Sequence, residues 1–296
     1  MVKGRIIKGV GGLYEVDADG IIYNCRARGV FRKEGLTPLV GDLVDIDIIE
    51  NEDNTGTIYH IYERSSELIR PRASNVTQVV LVFAVKRPNI NLDLMDRFII
   101  SCERQKVNIL ICFNKTDVLK EKDLEGLEHL NKIYKDAGFE VFNTSVVDYS
   151  GIEKLKERLK NNISIFAGPS GAGKSSLINI LAPHADMETG GLSRKISRGR
   201  HTTRHTELIK GPEEIYIMDS PGFTSLYLDN LENSDLELYF REFAPFIKKC
   251  RFTDCSHIAE PECAVAEAVE KGIISEERYN RYKLIYNEME SGKYNK

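Results

Sequence analysis

Gly168-Pro169-Ser170-Gly171-Ala172-Gly173-Lys174-Ser175 decides how the middle of this chain is read. It fills every fixed position of GxxxxGK[ST], and it stands between the apolar run 163–167 and a helix expected from Ser176 to Leu181. Glycines let the backbone curl so that successive N–H groups face phosphate oxygens, and the helix N-terminus adds its partial positive charge. Lys174 is then placed to reach the β- and γ-phosphates, and the Ser175 hydroxyl to hold Mg²⁺, with Gly168 to Ser176 forming the cradle.

Outward from this loop, the apolar runs 79–85, 107–113, 140–142 and 215–218 alternate with helical stretches. Continuous apolar strands joined by helices predict a parallel sheet covered on both faces. Asn114-Lys115-Thr116-Asp117 follows the run 107–113 at its C-terminal end, where open α/β sheets bind ligands. The Asp117 carboxylate can accept from both N1–H and the N2 amino group of guanine, a pair of donors that adenine lacks. Lys115 can lay its apolar stem over the base. Thr144-Ser145 offers a loop whose backbone can touch guanine O6. Asp219-Ser220-Pro221-Gly222 matches DxxG, with Asp219 reaching Mg²⁺ through water and the Gly222 N–H meeting the γ-phosphate. Between Arg198 and Arg204, Thr202 or Thr203 can sense the γ-phosphate and Mg²⁺; Thr203 is the choice.

In Ras-like GTPases the phosphate loop comes first, then the switch threonine, DxxG, NKxD and the last base loop. Here the base-reading motifs precede the phosphate loop while the cyclic order is kept, which makes this a circular permutation. The C-terminal region then follows the switch directly.

Residues 1 to about 65 read as five short strands separated by Gly11-Gly12, Asp19-Gly20 and Asn54-Thr55-Gly56, with no convincing helix. A small closed barrel of the OB kind is expected; an SH3-like barrel would leave much the same trace. From about residue 229 no strand pattern appears. A helix around Asp235 to Phe246, one over Ala264 to Lys271 and one opening at Ser275-Glu276-Glu277 are expected. In the last, Tyr279, Tyr282, Tyr286 and Met289 recur at helical spacing and read as packing. Between these helices, Cys250, Cys255, His257 and Cys263 offer three thiolates and an imidazole, a full tetrahedral set for a structural Zn²⁺. Their order is not that of the C₂H₂ finger, so sequence-specific DNA readout is not indicated. Cys25, Cys102 and Cys112 lie in apolar stretches as small hydrophobes.

With these motifs in this order, the chain resembles the YjeQ/RsgA family, bacterial GTPases dependent on the small ribosomal subunit. The carriers are NKTD, GPSGAGKSS, GRHTTR, DSPGF and the cysteine–histidine cluster. The resemblance implies a multi-domain chain: an OB-like β-barrel over 1–65, a circularly permuted α/β P-loop GTPase domain over 66–228, and a helical zinc-binding domain over 229–296. It further implies a cytoplasmic factor in late small-subunit (30S) maturation, contacting 16S rRNA and hydrolysing GTP to GDP when that subunit stimulates it.

Phe223 stands where Ras-like proteins carry the glutamine that orients the attacking water, so unaided turnover should be slow, on the order of 10⁻³ s⁻¹ or below. The missing group comes from the partner or from the switch, where His201 is the choice over His205. Gly171 occupies the position of the asparagine of many potassium-activated GTPases, which favours an activating partner over potassium. A GTP/GDP sensor with negligible turnover is the alternative reading, and a small-molecule kinase or ATPase ranks last.

Lysine and arginine total 41 against 45 acidic residues, a net charge of −4, which excludes a protein that coats nucleic acid with its whole surface. The charge is local instead. Arg194, Lys195, Arg198, Arg200, Arg204 and Lys210 face only Glu207 within residues 191–210, and Arg26, Arg28, Arg32 and Lys33 form a second basic group. Both suit RNA. The longest apolar run, 79–85, is far short of the roughly 20 residues that span a bilayer, and the first residues contain no signal core. A soluble, non-secreted, monomeric protein is the expectation.

Overall fold

Gly11-Gly12 and Asp19-Gly20 both place two successive residues at positive φ, the backbone of a tight hairpin turn that matches strand twist. They join β1 (Val2–Val10), β2 (Leu13–Ala18) and β3 (Ile21–Ala27) into an antiparallel meander. A five-residue helix that the strand pattern did not announce, α1 (Gly29–Lys33), leads to β4 (Leu43–Ile48) and β5 (Thr55–Ile61). β5 runs parallel to β3 and antiparallel to β4, and β4 pairs back onto β1. The order β1-β2-β3-β5-β4, closed on β1, is an OB-like Greek-key barrel without a free edge among its own strands. Ile6, Val16, Cys25, Val44, Ile46 and Ile58 are fully buried. Arg64, just past β5, donates to the buried Asp42 carboxylate at 2.7 and 2.8 Å.

The computed structural model describes residues 1–49, 53–68, 72–183, 206–219 and 231–291. After the barrel the chain runs through β6 (Glu67–Leu68), β7 (Ala73–Ser74), β8 (Gln78–Ala84), α2 (Leu92–Arg104), β9 (Asn108–Asn114), α3 (Glu121–Asp136), β10 (Glu140–Thr144), α4 (Ile152–Leu159), β11 (Ile163–Ala167), α5 (Lys174–Leu181), β12 (Glu207–Lys210), β13 (Tyr216–Asp219), α6 (Ala264–Glu270) and α7 (Glu276–Glu290). By packing it forms two units: Met1–Val80 with Ile152–Ser225, and Leu81–Gly151 with Leu226–Lys296.

In the first unit, β11 pairs parallel with β13, but β12 is antiparallel to β13 and to β1. The sheet is therefore mixed rather than wholly parallel. The cause is the short connection 211–215, closed by the Gly211 N–H donating to the Ile215 carbonyl at 2.7 Å; parallel neighbours would need a long crossover. Lys210 Nζ lies 2.7 Å from the buried Asp17 carboxylate of β2, and the Arg5 guanidinium sits 5.0 Å above the Tyr216 ring. These contacts join the barrel to the β12–β13 hairpin.

In the second unit the strands run β10-β9-β8. β8 is buried along its whole length, as a strand covered on both faces must be. Asn91 caps α2 by accepting from the Leu94 N–H at 2.9 Å. The stretch expected as one helix from Asp235 to Phe246 is instead broken into 3₁₀ segments, Asn233–Tyr239 and Arg241–Phe243, followed by Ile247–Lys249. The chain is extended at Phe240 between the first two, and 3₁₀ geometry aligns residues three apart. Phe240 and Phe243 thereby both enter an aromatic core with Tyr279 and Tyr282 of α7. The tyrosine stripe is packing: Tyr279, Tyr282 and Met289 are buried.

Charge lies inside this packing. Arg278 of α7 donates to Asp96 Oδ1 of α2 at 2.5 Å, Arg281 to Asp96 Oδ2 at 2.5 Å, and Tyr134 of α3 to Asp96 Oδ1 at 3.0 Å. Arg278 also donates to Glu242 at 2.7 and 3.2 Å. Two acids and two arginines balance. Among the described residues, no helix is long and apolar enough to cross a membrane.

Replacing Asp96 by alanine would remove the buried carboxylate that Arg278 and Arg281 share, leaving Arg278 to Glu242 and Arg281 to the more distant Glu277. A loss of about 3–5 kcal/mol is expected, read as earlier loss of α7 amide protection in hydrogen exchange under denaturant; unaltered protection would refute the assignment.

Candidate nucleotide-binding motifs and metal centre

The phosphate loop lies in the first unit, between β11 and α5. Gly171 and Gly173 have φ of +77° and +93°, values open to glycine at little cost, and the sharp curl they make delivers Lys174 to the first position of α5. Lys174 Nζ donates to the carbonyls of Gly168 and Pro169, each at 2.8 Å. Burial holds its ammonium below the usual lysine value. A poorly solvated cation that meets neutral carbonyls gains from a phosphate anion. Ser170 and Gly171 are exposed, Ser175 and Ser176 half-buried, and Ala172 is buried. Asp219 is the last residue of β13. His201, Thr202, Thr203, His205, Gly222, Phe223 and the cations Arg194 to Arg204 lie outside the described residues.

The residues expected to read guanine lie in the second unit and converge. Asn114 ends β9, and Lys115 follows in the left-handed region (φ +64°), opening a single 3₁₀ turn, Thr116–Val118. Ser145 Oγ donates to Asp117 Oδ1 at 2.7 Å, Thr144 Oγ1 to Asn114 Oδ1 at 3.0 Å, and Thr116 Oγ1 to the Thr144 carbonyl at 3.2 Å. The Asp117 carboxylate is thus oriented by Ser145 while its side of the turn stays exposed. Gly151 completes the Ser145 loop at φ +68°, so close that an added Cβ would stand 1.9 Å from the Asn143 carbonyl oxygen.

Sequence reasoning missed the loop after β8. Lys115 Nζ donates to the Arg87 carbonyl at 2.7 Å, the Val85 N–H to the Asn114 carbonyl at 3.0 Å, and Lys86 Nζ to Asp123 at 2.8 Å. Nothing in 85–88 carries a motif. The only available signal was its place at a strand's C-terminal end.

Cys250, Cys255, His257 and Cys263 come together with all four ligand atoms within 4.8 Å of one another. Cys250 Sγ is 3.6 Å from His257 Nδ1 and 4.0 Å from Cys263 Sγ, and His257 Nδ1 is 3.4 Å from Cys263 Sγ. Tetrahedral zinc with ordinary Zn–S and Zn–N bonds requires edges of about 3.8 and 3.6 Å, so the donor set fits. Burial first, then the neighbouring sulfurs, push the Cys255 thiol up to about 12, and burial raises Cys263 as well. Three adjacent sulfurs ionise together only around a cation. Cys25, Cys102 and Cys112 are buried apart from this cluster.

The RsgA GTPase family model matches residues 61–229, and the RsgA N-terminal domain model residues 3–58. The chain belongs to the RsgA GTPase family. It is 43% identical over 293 residues to the small ribosomal subunit biogenesis GTPase RsgA of Alkaliphilus metalliredigens, covering 99% of both chains. To the protein of the same name from Clostridium perfringens strain SM101 it is 46% identical, over 95% of this chain and 96% of that one. Among solved structures it resembles YloQ, described as a circularly permuted GTPase, with TM-score 0.81 and 33% identity over 98% of this chain and 96% of that chain. YjeQ from Thermotoga maritima superposes with TM-score 0.81 and 35% identity, over 97% and 98%. The permuted motif order of this chain agrees with that description of YloQ.

Gly151→Ala should weaken guanine nucleotide binding by about 1–3 kcal/mol, the cost of forcing a side chain into a strained site. Titration with a fluorescent GDP analogue measures it; wild-type affinity would show that the Ser145 loop does not shape the base site.

Proposed function

We propose that this chain hydrolyses GTP to GDP and phosphate in late maturation of the small (30S) ribosomal subunit, with that subunit as activator. The observation that carries the reading is the oriented Asp117 carboxylate, held by Ser145 in the NKTD turn, in a chain that also carries a phosphate loop with a half-buried lysine. Relatives covering nearly its whole length bear the name of small-subunit biogenesis GTPases.

In this reading Asn114, Lys115, Asp117 and Ser145 hold guanine, and Gly168 to Ser176 hold the phosphates with Lys174 on the β- and γ-oxygens. Ser175, Thr203 and Asp219 would hold Mg²⁺, which neutralises developing phosphate charge, and the Gly222 N–H meets the γ-phosphate. Cys250, Cys255, His257 and Cys263 hold one structural Zn²⁺. The functional division is 1–65, 66–228 and 229–296. With Phe223 unable to orient water, His201 or a group from the subunit supplies that role.

The 16S rRNA contact is assigned in part to the barrel. Arg26, Arg28, Arg32 and Lys33 are all exposed there, and the Arg28 guanidinium lies 4.5 Å over the exposed Tyr59 ring, a pairing of cation and stacking surface suited to RNA. Such a partner places the protein in the cytoplasm, acting as a monomer. Phe223 favours one second reading, a GTP/GDP sensor that turns over negligibly.

Steady-state GTP hydrolysis should be measured alone, with purified small subunits and with large subunits. A rise of orders of magnitude with small subunits only is expected. Tight GTP binding without that rise would leave the sensor, preference for ATP over GTP would remove the GTP reading, and survival of guanine selectivity in Asp117→Ala would show that Asp117 does not read the base.

A further inference from the structure

His257 is buried, and its two ring nitrogens face different chemistry. Nδ1 points into the cysteine cluster, 3.6 Å from Cys250 Sγ and 3.4 Å from Cys263 Sγ. Nε2 meets the Glu237 carboxylate, which reaches it from the 3₁₀ segment Asn233–Tyr239. We propose that Glu237 is the positioning carboxylate of the metal centre, fixing His257 as an Nδ1 ligand. The proposal rests on the zinc reading of the cluster.

The physical case starts from the proton. A neutral imidazole has one N–H, and an ionised carboxylate only accepts. With Glu237 beside it, Nε2 carries the proton and the Nδ1 lone pair is left facing the sulfurs. Pairing of this kind orients a metal-bound histidine and raises its basicity. Glu237 is not itself a ligand, because it touches the nitrogen that faces away from the sulfurs. Remove it, and the buried ring has no fixed tautomer and an N–H without a partner.

The surroundings hold the ring in the same pose. The ring of Phe243 stands edge-on at 5.9 Å between centroids, and Tyr282 lies at 6.4 Å. The His257 backbone is left-handed, at φ +60°. Tyr279 Oη donates to its carbonyl at 2.7 Å, and Tyr282 Oη to the Ser256 carbonyl at 2.8 Å. Glu260 gathers the loop beneath, accepting from the Ser256 N–H and Oγ at 2.7 and 2.6 Å and from the Ile258 and Ala259 N–H groups at 3.1 and 3.2 Å. Glu260 therefore shapes the loop, whereas Glu237 sets which nitrogen binds.

The test uses the full chain. Zinc affinity is measured by competition with a chromophoric chelator, and long-range ¹H–¹⁵N spectra of the zinc form read the His257 ring. The expected wild type binds one zinc through Nδ1 with hydrogen on Nε2. Glu237→Leu should bind zinc about 10–100-fold more weakly, and Glu237→Gln, which can still accept from Nε2, should fall between. Wild-type affinity in Glu237→Leu overturns the proposal, and so does zinc on Nε2. Should Glu237→Leu fail to fold, the wild-type ring spectrum decides alone. A wild type that takes up no zinc overturns the metal reading and this proposal with it, whereas zinc uptake indifferent to Glu237 overturns this proposal only.

Discussion

Asp96 is fully buried, and two arginines and a tyrosine close on its two oxygens. Taking such charges out of water costs several kcal/mol per ion, which only close geometry and complete pairing offset. Here Glu242 supplies the second negative charge for Arg278, and Arg278 lies 4.7 Å over the Phe240 ring. Because Asp96 belongs to α2, between β8 and β9, the same cluster that fixes the last helix stands beside the strands that present Asn114 and Asp117. Arg97–Glu288 and Arg241–Glu103 repeat the connection at 2.5 Å each. The strands that lead to the NKTD turn and the helices beside the cysteine cluster thus pack as one unit.

The first unit depends on a different device. β12 would be a sheet edge, with unpaired backbone groups open to any other strand. The barrel's β1 pairs with it through Lys8 and Glu207, and Lys210 brings its charge to the buried Asp17. β12 begins shortly after Thr203, and β13 ends at Asp219. The two proposed γ-phosphate and Mg²⁺ positions therefore bracket a hairpin anchored to the barrel.

What the sequence made legible was what is contiguous. The phosphate loop, NKTD and the cysteine cluster each fit within fourteen residues or fewer, so spacing alone carries their chemistry, and the glycine turns of the barrel are equally local. β12 was missed because four residues, Glu-Leu-Ile-Lys, are too short for a periodic signal, and its antiparallel sense follows from a turn rather than from its composition. The broken 3₁₀ stretch reads as helix because 3.6 residues per turn brings Leu236, Phe240 and Phe243 near one face; the aromatic core instead takes Phe240 and Phe243, three apart, from either side of a break. Asp96 was silent for a plainer reason: its arginine partners stand 182 and 185 residues away. The same holds on a smaller scale for Glu237, twenty residues from the ring it orients.

The permutation changes covalent linkage as well as order. The chain passes between the two units at Val80–Leu81, Gly151–Ile152 and Ser225–Leu226. The first crossing falls inside β8, the second directly after the glycine that closes the Ser145 loop, and the third just after the DxxG stretch. The phosphate loop is reached from the base-reading loop through α4 and β11 alone, whereas an unpermuted chain enters it from its free end. On the far side, the DxxG stretch leads to a 3₁₀ region pinned at Glu237 by His257 and at Glu242 by Arg278. Within the second unit, the first described element after that stretch, Asn233–Tyr239, is therefore held at Glu237 by His257.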